Sequence, residues 1–134
     1  MNVSDTLVGD DVFINRNAFL DSKGGIEIGN SVGLGERVMI FTHSHSESVR
    51  SERTCAKVVT GDFVKVYGEA MILPGITLGE QSIVAAKSMV TKDVEPDTFV
   101  AGVPAKPVRD LRTEGRTGAE LDHIWLADGA FQHE

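Results

Sequence analysis

The sequence predicts an all-β fold: a solenoid whose coils have three short flat sides. Three observations predict it. From Thr60 to Val94 an aliphatic residue returns at every sixth position, as Val66, Ile72, Leu78, Val84 and Val90. Four places after each opening residue comes a small or β-branched one: Val64, Ala70, Ile76, Ser82, Ser88 and Val94. The same spacing occurs earlier, in Val8, Ile14 and Leu20 and again in Ile28, Leu34 and Ile40. A period of six is neither the 3.6 of a helix nor the alternation of a lone strand. It is the period of a solenoid with one hexapeptide per side. One hexapeptide cannot bury its apolar side alone, so the coils must stack. A β-sandwich of short strands is the alternative, but sandwich turns are irregularly spaced while this period holds through five steps.

The first three units run from Val8 to Leu20, with Val12 and Ala18 at the fifth positions. Asp21-Ser-Lys-Gly-Gly then shifts the phase by two residues, and Gly24-Gly25 suits a tight corner that absorbs the insertion. Ile28, Leu34 and Ile40 resume the pattern, with Val32, Val38 and Ser44 at fifth positions. The register breaks after His45. Residues 46–57 carry Glu47, Arg50, Glu52 and Arg53 without periodic aliphatics, and read as a loop projecting from the solenoid. Loops of that length are often functional. After Val94 the chain closes its last coil, and Val100 to Arg109 reads as one extended strand held open by Pro104 and Pro107. A charged linker follows, and then a short helix over Ala119–Asp128 with Leu121, Ile124 and Trp125 on one face and Gly129 as its stop. That helix would bury Trp125 against the solenoid or a neighbouring subunit. The expected organisation is one solenoid domain over 1–110 and a C-terminal linker and helix over 111–134.

Composition narrows the function. At 134 residues with 41% hydrophobic content, the chain can build one real core. A net charge of -7 argues against a dedicated nucleic-acid binder, which carries a basic patch. The lone Cys55 permits no internal disulfide and suits a reducing compartment. The first residues lack a signal peptide's pattern and no apolar run reaches membrane-spanning length, so a cytoplasmic location is expected.

Six stretches carry a family resemblance: Asn15-Arg-Asn17 with Leu20-Asp21, Ile28-Gly-Asn30-Ser-Val32, Thr42-His-Ser-His45, Leu73-Pro-Gly75-Ile-Thr-Leu-Gly79, Ser88-Met-Val-Thr-Lys92-Asp93, and Ala101-Gly-Val-Pro-Ala-Lys106. Over roughly residues 8 to 110 the chain resembles the hexapeptide-repeat acyltransferases, and within them the galactoside and maltose O-acetyltransferases. The resemblance implies a left-handed parallel β-helix and a homotrimer with acetyl-CoA in a groove between subunits. It also implies a histidine base, a sugar or amino-sugar acceptor, and no metal. Two positions depart from the pattern, Lys65 where an aromatic is common and Tyr67 where glycine is. The helical segment that usually precedes the β-helix is also not seen, since the periodic region begins almost at Met1.

Acyl transfer from a thioester needs a base for the attacking hydroxyl or amine, donors for the oxyanion, and alignment of both substrates. Histidine suits the first task, because its ordinary ionisation lies near neutrality. A gapless match to the family places His45 at the base and His43 beside it; in an extended segment both point to one side. The resemblance places Asn15 near the tetrahedral intermediate, and Asp21, His43 and Asn17 at the acceptor. Asp21 reads equally well as a turn-forming residue. For the polyanionic donor it implies Lys92, Lys106 and Arg109 at the phosphates, and backbone around Gly68, Ala85, Ala86 and Val103 along the pantetheine arm. Lys87 is better read as a solvated surface lysine.

Two other classes share this fold. A zinc carbonic anhydrase would need a third histidine beside His43 and His45, and His123 and His133 both lie outside the periodic region. A β-helix without activity, serving as a scaffold, is the other.

Overall fold

The computed structural model describes residues 6–45 and 53–114. Its strands follow the six-residue period. The first coil is β1 (Thr6–Val8), β2 (Phe13–Ile14) and β3 (Phe19–Leu20), and the second is β4 (Ile26–Ile28), β5 (Gly33–Leu34) and β6 (Met39–Ile40). An excursion follows, with β7 (His43–His45) and β8 (Arg53–Cys55). The third coil is β9 (Val58–Thr60), β10 (Lys65–Val66) and β11 (Met71–Ile72), and the fourth is β12 (Thr77–Leu78), β13 (Ile83–Val84) and β14 (Met89–Val90). Val94 bridges to Leu78, and then come β15 (Thr98–Gly102), β16 (Ala105–Asp110) and a 3-10 turn, Leu111–Glu114.

Leaving aside the excursion β7–β8 and the final hairpin, every third strand lies in the same sheet. The first face is ordered β1-β4-β9-β12, the second β16-β15-β13-β10-β5-β2, and the third β14-β11-β6-β3. Within each face the coil strands pair in parallel, so Lys65 lies beside Ile83, three hexapeptides on. Repeated visits to three parallel sheets in rotation make the coil, and the openers fill it. Val66, Ile72, Leu78 and Val84 are fully buried, as are the fifth-position Val64, Ala70 and Ser82.

Two of the three corners turn on residues in the left-handed region. One column is Asp11, Ser31, Phe63, Gln81 and Asp97; the other is Asn17, Arg37, Glu69 and Lys87, all with φ between 55° and 63°. Such values are uncommon for non-glycine residues and mark a corner too tight for ordinary backbone. The third corner, between the third face and the first, takes the insertions instead.

Some sequence expectations change. Ser44 is exposed and paired with Thr54 in β7–β8, not in the core. The register breaks earlier than expected, at Thr42, which is fully buried. Of the expected loop 46–57, residues 53–55 form a strand, antiparallel to β7, with His43 opposite Cys55 and His45 opposite Arg53. Backbone polar groups leaving a sheet need partners, and this two-stranded stem supplies them. The single strand expected from Val100 to Arg109 is a hairpin: β16 folds back antiparallel on β15 at Val103-Pro104, a cis peptide. Leu111, just past the expected domain boundary, is buried with Tyr67 and Ile83. The helix expected over 119–128 lies outside the described residues.

Candidate functional site

The insertion after β3 builds the first part of the site. Asp21 N–H continues the ladder by donating to Ile40 C=O at 2.9 Å, which fixes its backbone beside β6. Gly24 then packs so closely that a Cβ there would lie 2.5 Å from the Thr42 carbonyl oxygen. Gly24 N–H donates to Thr42 Oγ1 at 2.7 Å, and the Thr42 hydroxyl donates to Asp21 C=O at 2.6 Å. Thr42 thus locks the insertion to the start of the excursion. On the far side Ala56 N–H donates to Thr42 C=O, and Gly75 N–H to Ala56 C=O, so the chain rejoins the coil where it left.

This lock presents Asp21 to His43. Asp21 is buried, and its Oδ2 accepts from His43 Nδ1 and from Thr42 N–H at 3.2 Å. Lys23 N–H donates to Oδ1 at 3.3 Å. Burial pushes the Asp21 carboxyl up, but the hydrogen bonds from His43, Thr42 and Lys23 outweigh it and hold the group below the usual aspartate range. The result is an anchored carboxylate beneath a partly exposed imidazole. The carboxylate engages the ring through Nδ1, which fixes its orientation. His45 follows two residues on in the same strand, its backbone opposite Arg53.

Asn15 stands on the second face, after β2. It is exposed, and its Oδ1 accepts from Arg16 N–H at 2.8 Å. With Gly68, Ala86, Glu36, Glu69 and Lys87 it lines a depression of about 370 Å³. The structure therefore brings Asn15 together with two of the positions expected along the donor's arm. Ala85, one residue before Ala86, is buried, its N–H donating to Val100 C=O at 3.0 Å. Asn17 occupies a left-handed corner, which asparagine tolerates well. Lys87 pairs with Glu69 at 3.9 Å on the surface.

Lys92, Lys106 and Arg109 come together elsewhere, at the last coil. They line one groove of about 640 Å³ between the chain after β14 and the β15–β16 hairpin. The Arg109 guanidinium lies 4.8 Å over the Phe99 ring, which orients it. Val103 sits exposed at the hairpin turn. The two departing residues are both buried: Lys65 Nζ donates to Ser31 C=O at 3.1 Å, and Tyr67 packs under Leu111.

Sequence reasoning named Asp21 and His43 but not their bond. The signal was present, since the two-residue insertion sets Leu20 beside Ile40 and so carries Asp21 to Thr42. The acidic side of the Asn15 depression, Glu36 and Glu69, was missed, and nothing in their spacing marks them. Among the described residues no cluster of three or more His, Cys, Asp or Glu could hold a metal ion. No described helix is long and apolar enough to cross a membrane.

Acetyltransferases stand among the homologues of this chain, and hexapeptide-repeat acetyltransferases among the solved structures that share its fold. A putative acetyltransferase of Schizosaccharomyces pombe is 34% identical over 110 residues, covering 79% of this chain and 53% of the relative. The hexapeptide-repeat acetyltransferase of Vibrio cholerae, solved in complex with acetyl coenzyme A, is 39% identical with a TM-score of 0.78 over 80% of this chain and 61% of that one. A maltose O-acetyltransferase of Clostridium difficile is 35% identical with a TM-score of 0.75 over 80% of this chain and 59% of that one. No protein-family profile matches the chain. The chain spans about half the length of the Schizosaccharomyces pombe relative.

Proposed function

We propose that this chain transfers an acetyl group from acetyl-CoA to a hydroxyl of a sugar-like small molecule. The observation that carries the reading is the histidine stem anchored by Asp21 on a fold shared with an acetyl-CoA-bound relative. In this reading the coil is left-handed, and residues 1–110 form the catalytic domain of a homotrimer, because a donor groove open on one chain needs a neighbour to close it. Lys92, Lys106 and Arg109 take the donor's phosphates, while Gly68, Ala85, Ala86 and Val103 follow its arm. The Asn15 side-chain amide is within the same depression and donates to the developing oxyanion. The setting is cytoplasmic, in keeping with a single cysteine in the sequence. A sugar acceptor is supported by the maltose O-acetyltransferase.

The chemistry is proton removal followed by addition. A base takes the acceptor's hydroxyl proton as its oxygen attacks the thioester carbon. The tetrahedral intermediate collapses, the C–S bond breaks, and the base returns the proton to the leaving CoA thiolate. His45 is the base by the family match. A second reading is favoured by one observation: the buried Asp21 carboxylate holds the His43 ring in one orientation through Nδ1, as a positioned base requires. Under that reading Asp21 acts through His43 rather than on the acceptor.

The test is CoA release from acetyl-CoA across a panel of sugars and amino sugars. Replacing the base with alanine should lower turnover about 10²- to 10⁴-fold while acetyl-CoA binding holds. If His45→Ala gives the large loss and His43→Ala a small one, His45 is the base; the reverse pattern assigns His43. No acetyl transfer to any acceptor, with CoA still bound, would favour a scaffold.

A further inference from the structure

We propose that Tyr67 sets the length of the acyl chain this protein accepts, by filling an apolar space that borders the Asn15 depression. The inference rests on the reading of that depression as the reactive end of the donor site. Tyr67 N–H donates to Val84 C=O at 2.9 Å, Gly35 N–H to Val66 C=O at 2.7 Å, and Asn15 N–H to Leu34 C=O at 2.9 Å. These bonds carry the ladder of the second face one residue past its strands. Asn15, Gly35, Tyr67 and Ala85 thus stand in one row, each following an inward aliphatic and so facing outward. Tyr67 is the largest side chain of the four.

An outward residue on a sheet ordinarily keeps part of its surface in water, yet Tyr67 is 1% exposed. It packs with Ile83 and Leu111, and Ala86 and Phe99 lean on the same cluster. Leu111 is held in place by its own N–H, which donates to Asp97 C=O at 2.7 Å. Ala86 belongs to both places, since it packs on this cluster and lines the depression. Gly68, the residue after Tyr67, lines it too. One methyl group and a glycine backbone therefore separate the tyrosine from the depression. On the other side, a Cβ at Gly35 would lie 2.6 Å from the Gly68 nitrogen and 3.0 Å from the Tyr67 carbonyl carbon. No side chain can stand between Asn15 and Tyr67.

In the proposed reaction Asn15 receives the oxyanion, so the thioester carbon lies beside it and the acyl chain extends from that carbon. Across bare Gly35 the chain meets Tyr67, whose side chain already fills the apolar volume. The rest of the depression offers Glu36, Glu69 and Lys87, against which added methylenes gain nothing. Truncating the tyrosine would leave a space walled by Ile83, Leu111 and Phe99, and apolar cavities take up apolar groups. Tyr67 takes no part in the bond changes; it limits what enters.

The test is titration calorimetry of CoA, acetyl-CoA and butyryl-CoA with wild type and Tyr67→Ala, with circular dichroism to confirm folding. Wild type should bind butyryl-CoA no more tightly than acetyl-CoA. In Tyr67→Ala the ratio of the two affinities should move about 10-fold or more toward butyryl-CoA, the worth of a methylene or two in an apolar pocket, while CoA itself binds as before. Ile72→Ala opens a cavity inside the coil instead and should leave the ratio unchanged, so lost stability alone does not move it. Should Tyr67→Ala not fold, Tyr67→Val should shift the ratio the same way by a smaller factor. A folded variant with the wild-type ratio would overturn the proposal and leave acetyl transfer standing. Wild type that already favours butyryl-CoA would overturn it equally. Wild type that binds none of the three would overturn the donor reading, and this inference with it.

Discussion

Asp21 has both carboxylate oxygens engaged within the protein. A buried carboxylate is tolerated when hydrogen bonds repay its lost hydration, and here His43, Thr42 and Lys23 do so. Its ionisation is held below the ordinary value of 3.8, so the charged form is favoured by folding. The stability this contributes is complete above that value and fades as pH falls through the lowered one. Asp21→Asn should therefore be less stable than wild type at pH 6, with the gap narrowing below about pH 4, as urea midpoints across that range would show. The same variant should lower turnover by about one to two orders of magnitude with little change in acetyl-CoA binding, less than loss of the base itself. An unchanged pH-rate profile would mark Asp21 as structural. Both partners were legible as residues, Asp21 by its motif and His43 by its rarity. Their bond was not, because it forms only when a coil lengthened by two residues returns beside itself.

The strands could be read from the sequence and the connections could not. Aliphatic residues at sixth positions leave no other inward face, so counting alone assigns Ile72, Leu78 and Val84 to the core where they lie. Ser44 fitted the same count yet lies outside, because the chain leaves the coil two residues earlier and Thr42 takes the buried place. Periodicity alone cannot detect a departure whose residues happen to match. The hairpin after Val100 was hidden in the same way: two prolines argue for extension but do not tell where the chain reverses. That reversal creates the basic groove. Lys106→Glu should weaken acetyl-CoA binding at low salt, with the loss shrinking as salt rises, and titration at two ionic strengths checks it. Unchanged binding at low salt would remove Lys106 from the donor site.

For the whole molecule, stacking makes stability a matter of position. Ile72 has a coil above and below and is fully buried, whereas Ile14 lies in the first coil and keeps 41% of its surface. Ile72→Ala should cost about 2–5 kcal/mol, and Ile14→Ala less than half as much at protein concentrations low enough to hold single units. Equal costs from denaturant unfolding would mean that the first coil is as enclosed as the third. The winding itself was legible throughout, since it rests on count alone. How the ends are finished was not, because an end residue obeys the same period as an interior one while meeting different neighbours.

The corners divide labour in a way that bears on how such a chain can change. Two of them are held by columns of left-handed residues and admit no extra length. The third absorbed a two-residue insertion at Ser22–Lys23 and the whole excursion between Thr42 and Ala56, while the strands beyond it kept their register. That corner behaves as a splice junction. Segments of different length and chemistry can be exchanged there without disturbing the aliphatic columns, so the chemistry presented at this corner can change while the scaffold stays fixed. A graft that keeps Thr42 and Ala56 and replaces what lies between them should fold with the parent's melting profile.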